Sequence, residues 1–184
     1  MPRNLPQTIL QAILNDIRVE IADAFDRNFE RRAFFGKPWK PRRRADHGSL
    51  LQRTGVLRKS IRARVSGQSV VFSSSVPYAA IHNEGGTITV TARMHRYFWA
   101  KYYEAGGQVR YKKSGGMTKA SMRFSAEAEA WKALAMMKVG SKIHIPQRQF
   151  IGDAPEVRHA VESIVAEHLQ TDLQTLFKQR LNKH

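Results

Sequence analysis

Hydrophobic residues recur every three or four positions near both ends of the chain, the spacing that lines one face of an α-helix. In residues 6–34 these positions are Ile9, Leu10, Ile13, Leu14, Ile17, Ile21, Ala24, Phe25 and Phe29. From residue 153 onward they are Val157, Val161, Ile164, Val165, Leu169, Leu173, Leu176, Phe177 and Leu181. The pattern predicts two long amphipathic helices, over residues 6–34 and 153–178. Asp153 is a suitable N-cap for the second helix, with Pro155 in its first turn.

Between these helices the hydrophobic positions alternate instead, as they do in strands with one buried face. Residues 61–65 and 69–74, separated by a glycine, predict a hairpin. Residues 87–91 and 142–145 predict two more strands. We therefore expect an α+β fold in which the two long helices pack on one face of a mostly antiparallel sheet of all four strands. Two helices are enough to cover one face only.

Residues 92–140 interrupt this pattern and predict a helical insertion. Tyr97, Phe98 and Lys101 follow a helical spacing, and a run rich in alanine begins at Ser125 and ends at Gly140. The two predicted helices are joined by a glycine-rich connection and hang from a hairpin formed by the strands on either side. With 184 residues and 42% hydrophobic content, we expect a single domain over residues 1–184 that contains this insertion.

Composition limits the classes of function. The chain has no cysteine, so thiolate metal sites and disulfides are excluded, and no apolar run reaches the length of a membrane span, so we expect no membrane partner. Lys and Arg number 31 against 15 Asp and Glu, a net charge of +16. Such an excess favours a polyanionic partner or an acidic protein surface. A solvated basic surface that only keeps the protein dissolved is the alternative.

The most basic stretch follows the first helix, which Gly36 and Pro38 should end. Its predicted binding residues are Trp39, Lys40, Arg42, Arg43 and Arg44, which lie in a segment without apolar periodicity. The arginines are suited to phosphates and the tryptophan to stacking on a base. Alternatively, this segment becomes ordered when a neighbouring subunit packs on it. Both interpretations stay open from the sequence.

Catalysis finds little support in the sequence. Asp46, His82 and Glu84 are the residues from which a Mg²⁺-dependent nuclease site would have to be built, and no other histidine has the spacing of a metal-binding motif. We therefore predict no enzymatic activity, no catalytic or metal-binding residues and no cofactor. His82 is expected instead to donate a hydrogen bond to a backbone carbonyl and to fix the bend before Gly85.

Three short motifs occur in a fixed order along the chain. They comprise Thr54, Gly55, Leu57, Ser60 and Ile61, then Tyr78, Ala79, Ile81, His82 and Gly85, then Ile145, Pro146, Arg148, Phe150, Ile151 and Gly152. In this order, between two long helices, they resemble the phage virion morphogenesis family, the tail-completion or head-tail joining proteins of Mu-like phages and prophages. The resemblance has no recognisable motif over residues 93–140.

The resemblance implies a structural protein of virion assembly that completes the tail or joins head and tail. Its partners would be phage tail or connector proteins and further copies of itself in a ring, with possible non-specific contact to DNA. It would be found in the virion, or in the host cytoplasm during assembly. The resemblance also implies that Trp39 is a packing anchor. The alternative, argued from charge alone, is a basic DNA-binding protein that uses residues 40–44.

The motifs and strands also predict which side chains form the core. We expect it to contain Leu57, Ile61, Phe72, Tyr78, Ile81 and Phe150.

Overall fold

A computed structural model of the chain describes residues 7–41, 50–52, 54–106 and 116–181, with the backbone alone for 172, 173 and 175–181. The regular elements of these residues are helices and short antiparallel strands, which confirms the α+β class. In chain order the elements are α1 (Gln7–Arg31), β1 (Ala33–Phe34), β2 (Lys37–Pro38), α2 (Val56–Ser60), β3 (Ile61–Ser66), β4 (Ser69–Ser74), α3 (Ala79–Glu84), β5 (Gly86–Thr89), α4 (Ala92–Gly106), α5 (Lys119–Ala135), β6 (Lys142–Ile145) and α6 (Pro155–Leu181).

The chain divides into two compact units. The first contains residues 1–40, 49–84 and 147–184, and the second contains residues 41–48 and 85–146. The second unit therefore includes the predicted insertion together with the two strands that flank it. That the whole chain is one domain stays a prediction.

Helix α1 organises the first unit, since it packs against β3, β4 and α6. The Phe25 ring lies edge-on to that of Phe72 on β4, with centroids 5.0 Å apart. Val157 and Val161 of α6 pack against the same buried cluster. Burial of this apolar stripe, rather than helix propensity, accounts for most of the stability of a helix of this kind.

The first helix ends at Arg31, three residues earlier than the hydrophobic pattern predicts. Arg32 takes a positive φ of 54°, and the chain turns back as the short β1–β2 hairpin. This turn buries Phe34 against Phe25. The Asn28 amide oxygen also accepts a hydrogen bond of 2.9 Å from the Phe35 N–H. These tertiary contacts override the helical periodicity.

The last helix begins at Pro155, so the prediction of Asp153 as its N-cap is wrong. The Asp153 carboxylate instead accepts a hydrogen bond of 2.9 Å from Nε of Arg158. Proline fits the first helical position because its missing N–H would have had no partner there.

The predicted strands all form, but the prediction that they share one sheet is wrong. Among the described residues, β3 pairs with β4 and β5 pairs with β6 as separate antiparallel ribbons, and β1 and β2 form a third. Each longer ribbon has its own helical cover. The β3–β4 ribbon packs against α1, and Ile143 of β6 packs against the cluster that contains Phe98 of α4.

The second unit contains the β5–β6 hairpin and the helices α4 and α5. In this hairpin Gly86 pairs with Ile145 at one end and Thr89 pairs with Lys142 at the other. Helix α4 packs against α5. Helix α5 begins at Lys119, six residues before the alanine-rich run. The Thr118 hydroxyl accepts a hydrogen bond from the Ser121 N–H, and this N-cap sets the earlier start.

Candidate partner-binding surface

The three sequence motifs meet in one buried cluster of the first unit. Phe150 is fully buried, and its ring lies 5.1 Å from that of Phe29 on α1. Leu57 and Ala79 complete the same cluster together with Trp39. Leu57 and Phe150 were therefore placed correctly in the core, and Ile61 packs at its edge.

Tyr78 was wrongly assigned to this core. Its side chain is 44% exposed, and its ring lies against the His82 ring at 6.0 Å. Ala79, the first residue of α3, occupies the buried position instead. Phe72 and Ile81 are half-buried.

The backbone of residues 149–151 runs through the cluster without regular secondary structure, and side chains satisfy its polar groups. Asn28 Nδ2 donates to the Phe150 carbonyl at 3.2 Å, and Trp39 Nε1 donates to the Gln149 carbonyl at 2.6 Å. The Asn83 amide oxygen accepts from the N–H groups of Phe150 and Ile151 at 2.9 and 3.1 Å. Buried peptide groups need such partners, so this arrangement fixes the third motif in place.

Sequence reasoning missed both asparagines. Asn28 is fully buried on α1 next to Phe29, and a polar residue on an otherwise apolar stripe was the available signal. Asn83 directly follows His82 and carries no comparable signal in the sequence.

Trp39 is 7% exposed and packs edge-on against Phe29, with ring centroids 5.6 Å apart. This burial favours the packing anchor, because the ring is not available to stack on a base. Lys40 is exposed, and its carbonyl accepts a 3.0 Å hydrogen bond from Nε of Arg148, which is itself buried. Arg42, Arg43, Arg44 and Asp46 lie outside the described residues, and their role stays a prediction.

The Thr-Gly motif forms the turn that its glycine predicts. Gly55 has a φ of 68°, a conformation that side chains disfavour, and α2 starts directly after it. Thr54 is exposed. The Ser60 hydroxyl lies 2.7 Å from both the Leu57 carbonyl and the Ser74 hydroxyl, and so ties α2 to β4.

Arg58, which also belongs to the basic part of the chain, forms ion pairs within the molecule. Its guanidinium donates to Asp26 at 2.5 Å and to Glu30 at 2.7 Å, both on α1. These hydrogen bonds raise the pKa of Arg58, and the bond from Arg58 lowers the pKa of Asp26. Its charge is therefore already matched.

Within the described residues the hydrogen bond predicted for the His82 ring does not form, and the buried Nδ1 has no partner there. The His82 carbonyl accepts from the Arg148 N–H at 2.8 Å. Burial lowers the pKa of His82, and the nearby Arg148 charge lowers it further. Gly85, with a φ of 77°, makes the turn after α3, and Pro146 is half-buried.

Neither a cluster of metal-binding side chains nor a membrane-spanning helix is found in the described part of the chain. No three His, Asp or Glu side chains cluster closely enough there to hold an ion. None of the helices over these residues combines the length and the apolar character needed to cross a bilayer.

The second unit presents the most conspicuous apolar surface. Along α4 the Trp99 ring stacks on Tyr103 at 5.9 Å and meets His95 and Tyr102 edge-on at 6.3 and 5.6 Å. Tyr103 is 67% exposed and Tyr97 is 52% exposed. Aromatic residues and arginine are enriched in protein interfaces. Tyr97 lies on another side of the helix, where its ring meets Trp131 of α5 edge-on at 5.9 Å. The α4 aromatic face, defined by Trp99, Tyr102 and Tyr103, is the candidate partner-binding surface.

The comparisons with known proteins place the chain in a family. A profile of the phage virion morphogenesis family matches residues 4–170, nearly the whole chain, including the stretch over 93–140 where the sequence shows no recognisable motif. The chain belongs to this family, and its role is a structural one in phage assembly, in contact with other phage proteins. No curated protein and no solved structure was found to match it.

Proposed function

We propose that this protein completes the phage tail or joins head and tail, and that it does so as an oligomer held by protein contacts. Membership of the phage virion morphogenesis family supports the role in assembly. The observation that carries the mode of action is the α4 aromatic face, because exposed, stacked aromatic rings are poorly explained by the needs of an isolated subunit. The protein acts in the virion, or in the host cytoplasm during assembly, and without catalytic turnover.

Charge decides what the α4 aromatic face contacts. Residues 85–146 contain 11 Lys and Arg but only three Glu and no Asp. A symmetric contact between two copies of this face would bring like charges together, which is unfavourable. The face therefore binds a different, less basic surface, either on the next subunit or on a tail or connector protein. Contacts between unlike surfaces are also the kind that close into rings.

The test is complementation of a phage that lacks this gene, scored by counting tailed particles in the electron microscope. We expect a Tyr102→Ala, Tyr103→Ala double variant to fold but to reduce the number of tailed particles at least about tenfold, since truncating an interface anchor costs about 2 kcal/mol or more. Light scattering of the purified variant should show fewer oligomers than the wild-type chain forms.

The control is a Val19→Ala, Val56→Ala double variant, which truncates two apolar side chains of the first unit that are 52% and 49% exposed. It should assemble normally. Wild-type numbers of tailed particles from the tyrosine variant would contradict the proposal.

The second candidate is a DNA-binding protein that uses residues 40–44. The net charge of +16 favours it, whereas the burial of Trp39 removes the base-stacking part of the argument. Binding through the remaining cations would fall steeply with salt, and protein contacts through the α4 aromatic face would not.

A further inference from the structure

The stretch from residue 47 to residue 83 contains no acidic residue, and the structure shows which of its cations are free. The sequence there includes Arg53, Arg58, Lys59, Arg62 and Arg64. Arg58 is paired with α1, and Arg53 lies outside the described residues. Lys59, Arg62 and Arg64 are exposed, and no carboxylate in the described part of the chain forms an ion pair with any of them.

Two of these cations, Arg62 and Arg64, share one side of the β3–β4 ribbon. Burial alternates along β3, so that Arg62, Arg64 and Ser66 are exposed while the residues between them are half-buried. The other side carries Phe72, which packs against Phe25 of α1. Lys59 is on α2, just before this strand. Its carbonyl accepts a 3.0 Å hydrogen bond from Nη1 of Arg62, and its side chain lies next to Gly55.

The neighbouring strand adds hydroxyl groups to the same face. Ser73 lies opposite Arg62, and Ser69 lies opposite Ser66, and directly opposed residues of paired strands project from the same side. Arg62 and Arg64 stand two residues apart on one strand, a separation of about 6.6 Å. We call the set of Arg62, Arg64, Ser69 and Ser73, together with the adjacent Lys59 of α2, the basic ribbon face.

This chemistry fits the backbone of duplex DNA better than other polyanions. Guanidinium and hydroxyl groups are the usual donors to phosphate oxygens, and duplex DNA offers a phosphate about every 1.7 Å along its axis. The basic ribbon face contains no carboxylate to repel phosphate and no aromatic ring to stack on an unpaired base.

We propose that the basic ribbon face binds the sugar-phosphate backbone of duplex DNA without sequence preference. The binding uses neither residues 40–44 nor the α4 aromatic face, and it does not depend on the proposed assembly role.

The test measures fluorescence anisotropy of a short labelled duplex with the isolated full-length chain, from about 50 to about 200 mM salt. Each phosphate contact adds about 0.9 to the slope of log affinity against log salt. A Lys59→Ser, Arg62→Ser, Arg64→Ser variant should therefore lower that slope by about 2 to 3. The wild-type chain should also bind the duplex more tightly than a single strand of the same length.

A matched variant separates this face from the effect of overall charge. Lys119, Arg123 and Lys138 of the second unit are also exposed and form no ion pair within the described residues. Replacing these three with Ser removes the same charge and should change the slope by less than about 1. Equal changes in the two triple variants would overturn the proposal.

Two further measurements keep the result decisive. An Arg62→Lys, Arg64→Lys variant changes the same positions but retains the charges, and it should retain the salt slope. A lower slope in the serine variant is then due to the lost charges and not to a disturbed fold at these positions. Polyglutamate serves as the acidic-protein probe. If the serine variant loses binding to polyglutamate while its affinity for the duplex is unchanged, the face binds an acidic protein surface and the DNA proposal is wrong.

Discussion

Asn28 stabilises two parts of the fold, because both ends of its amide group form hydrogen bonds. Its oxygen holds the Phe35 N–H that turns the chain after α1, and its nitrogen holds the Phe150 carbonyl in the core. Replacing Asn28 with Leu would leave two buried backbone groups without partners, each costing about 1–3 kcal/mol. We expect Asn28→Leu to lower the free energy of unfolding by roughly 2–5 kcal/mol, measured by urea denaturation.

A second asparagine on the same helix provides the control. Asn15 is exposed and hydrogen-bonds only to the Gln11 carbonyl one turn earlier, so Asn15→Leu should change the stability by less than about 0.5 kcal/mol. Similar losses from both substitutions would show that the asparagine contacts in the core do not determine stability.

His82 should make the stability depend on pH. Burial lowers the pKa of its ring below the ordinary value of about 6.5, so below that pH the unfolded chain binds the proton more readily than the folded one. The contribution of His82 to stability is therefore complete above pH about 6.5 and is lost as the pH falls through the folded pKa. Melting temperatures between pH 7.5 and 5 should fall less steeply for His82→Gln than for the wild-type chain.

The comparison variant is His144→Gln, since His144 is exposed on β6. It should leave the pH profile of the wild-type protein unchanged. A His82→Gln variant whose melting temperature keeps the full wild-type pH dependence would refute the assignment.

At the scale of elements, local periodicity predicted which helices and strands form more reliably than the residues at which they begin and end. The helices α1 and α6 and the strand pairs follow from spacing alone. The end of α1 does not, because the turn at Arg32 depends on contacts between Phe34, Phe25 and Asn28 that are formed only in the folded chain. Whether the strand pairs join in one sheet or form separate ribbons likewise depends on which helix covers each pair. The pattern of a single sequence does not reveal which helix that is.

The same reasoning separates the parts of the candidate site. The turn at Gly55 and the burial of Leu57 and Phe150 were predictable from residue type and motif. The pairing of Arg58 with Asp26 was not, because the two are 32 positions apart and each is unremarkable by itself. Tyr78 was misjudged because a large aromatic side chain is usually buried, whereas here a neighbouring alanine fills the core.

At the scale of the whole molecule, the positive charge is concentrated in the middle of the chain. Residues 41–146 contain 19 of the 31 Lys and Arg but only five of the 15 Asp and Glu, while residues 147–184 contain five of each. The chain therefore separates its roles. The terminal segments, nearly balanced in charge, supply α1 and α6, and the middle supplies every surface for which we propose a partner.

Arg42, Arg43 and Arg44 stand at the start of this basic middle and lead to the last prediction. They lie in a segment without apolar periodicity, between the buried Trp39 and the Thr-Gly turn, so we expect them to contribute to binding and not to folding. Replacing all three with Ser should shift the melting temperature by no more than exposed substitutions usually do, an effect within about 0.5 kcal/mol. Complementation should nevertheless fail at tail joining, because an acidic partner or DNA loses three charges of attraction. Anisotropy with the labelled duplex distinguishes the two partners, since only DNA contact lowers the salt slope. A triple variant that unfolds would instead make these arginines internal ion-pair partners and remove them from the functional surface.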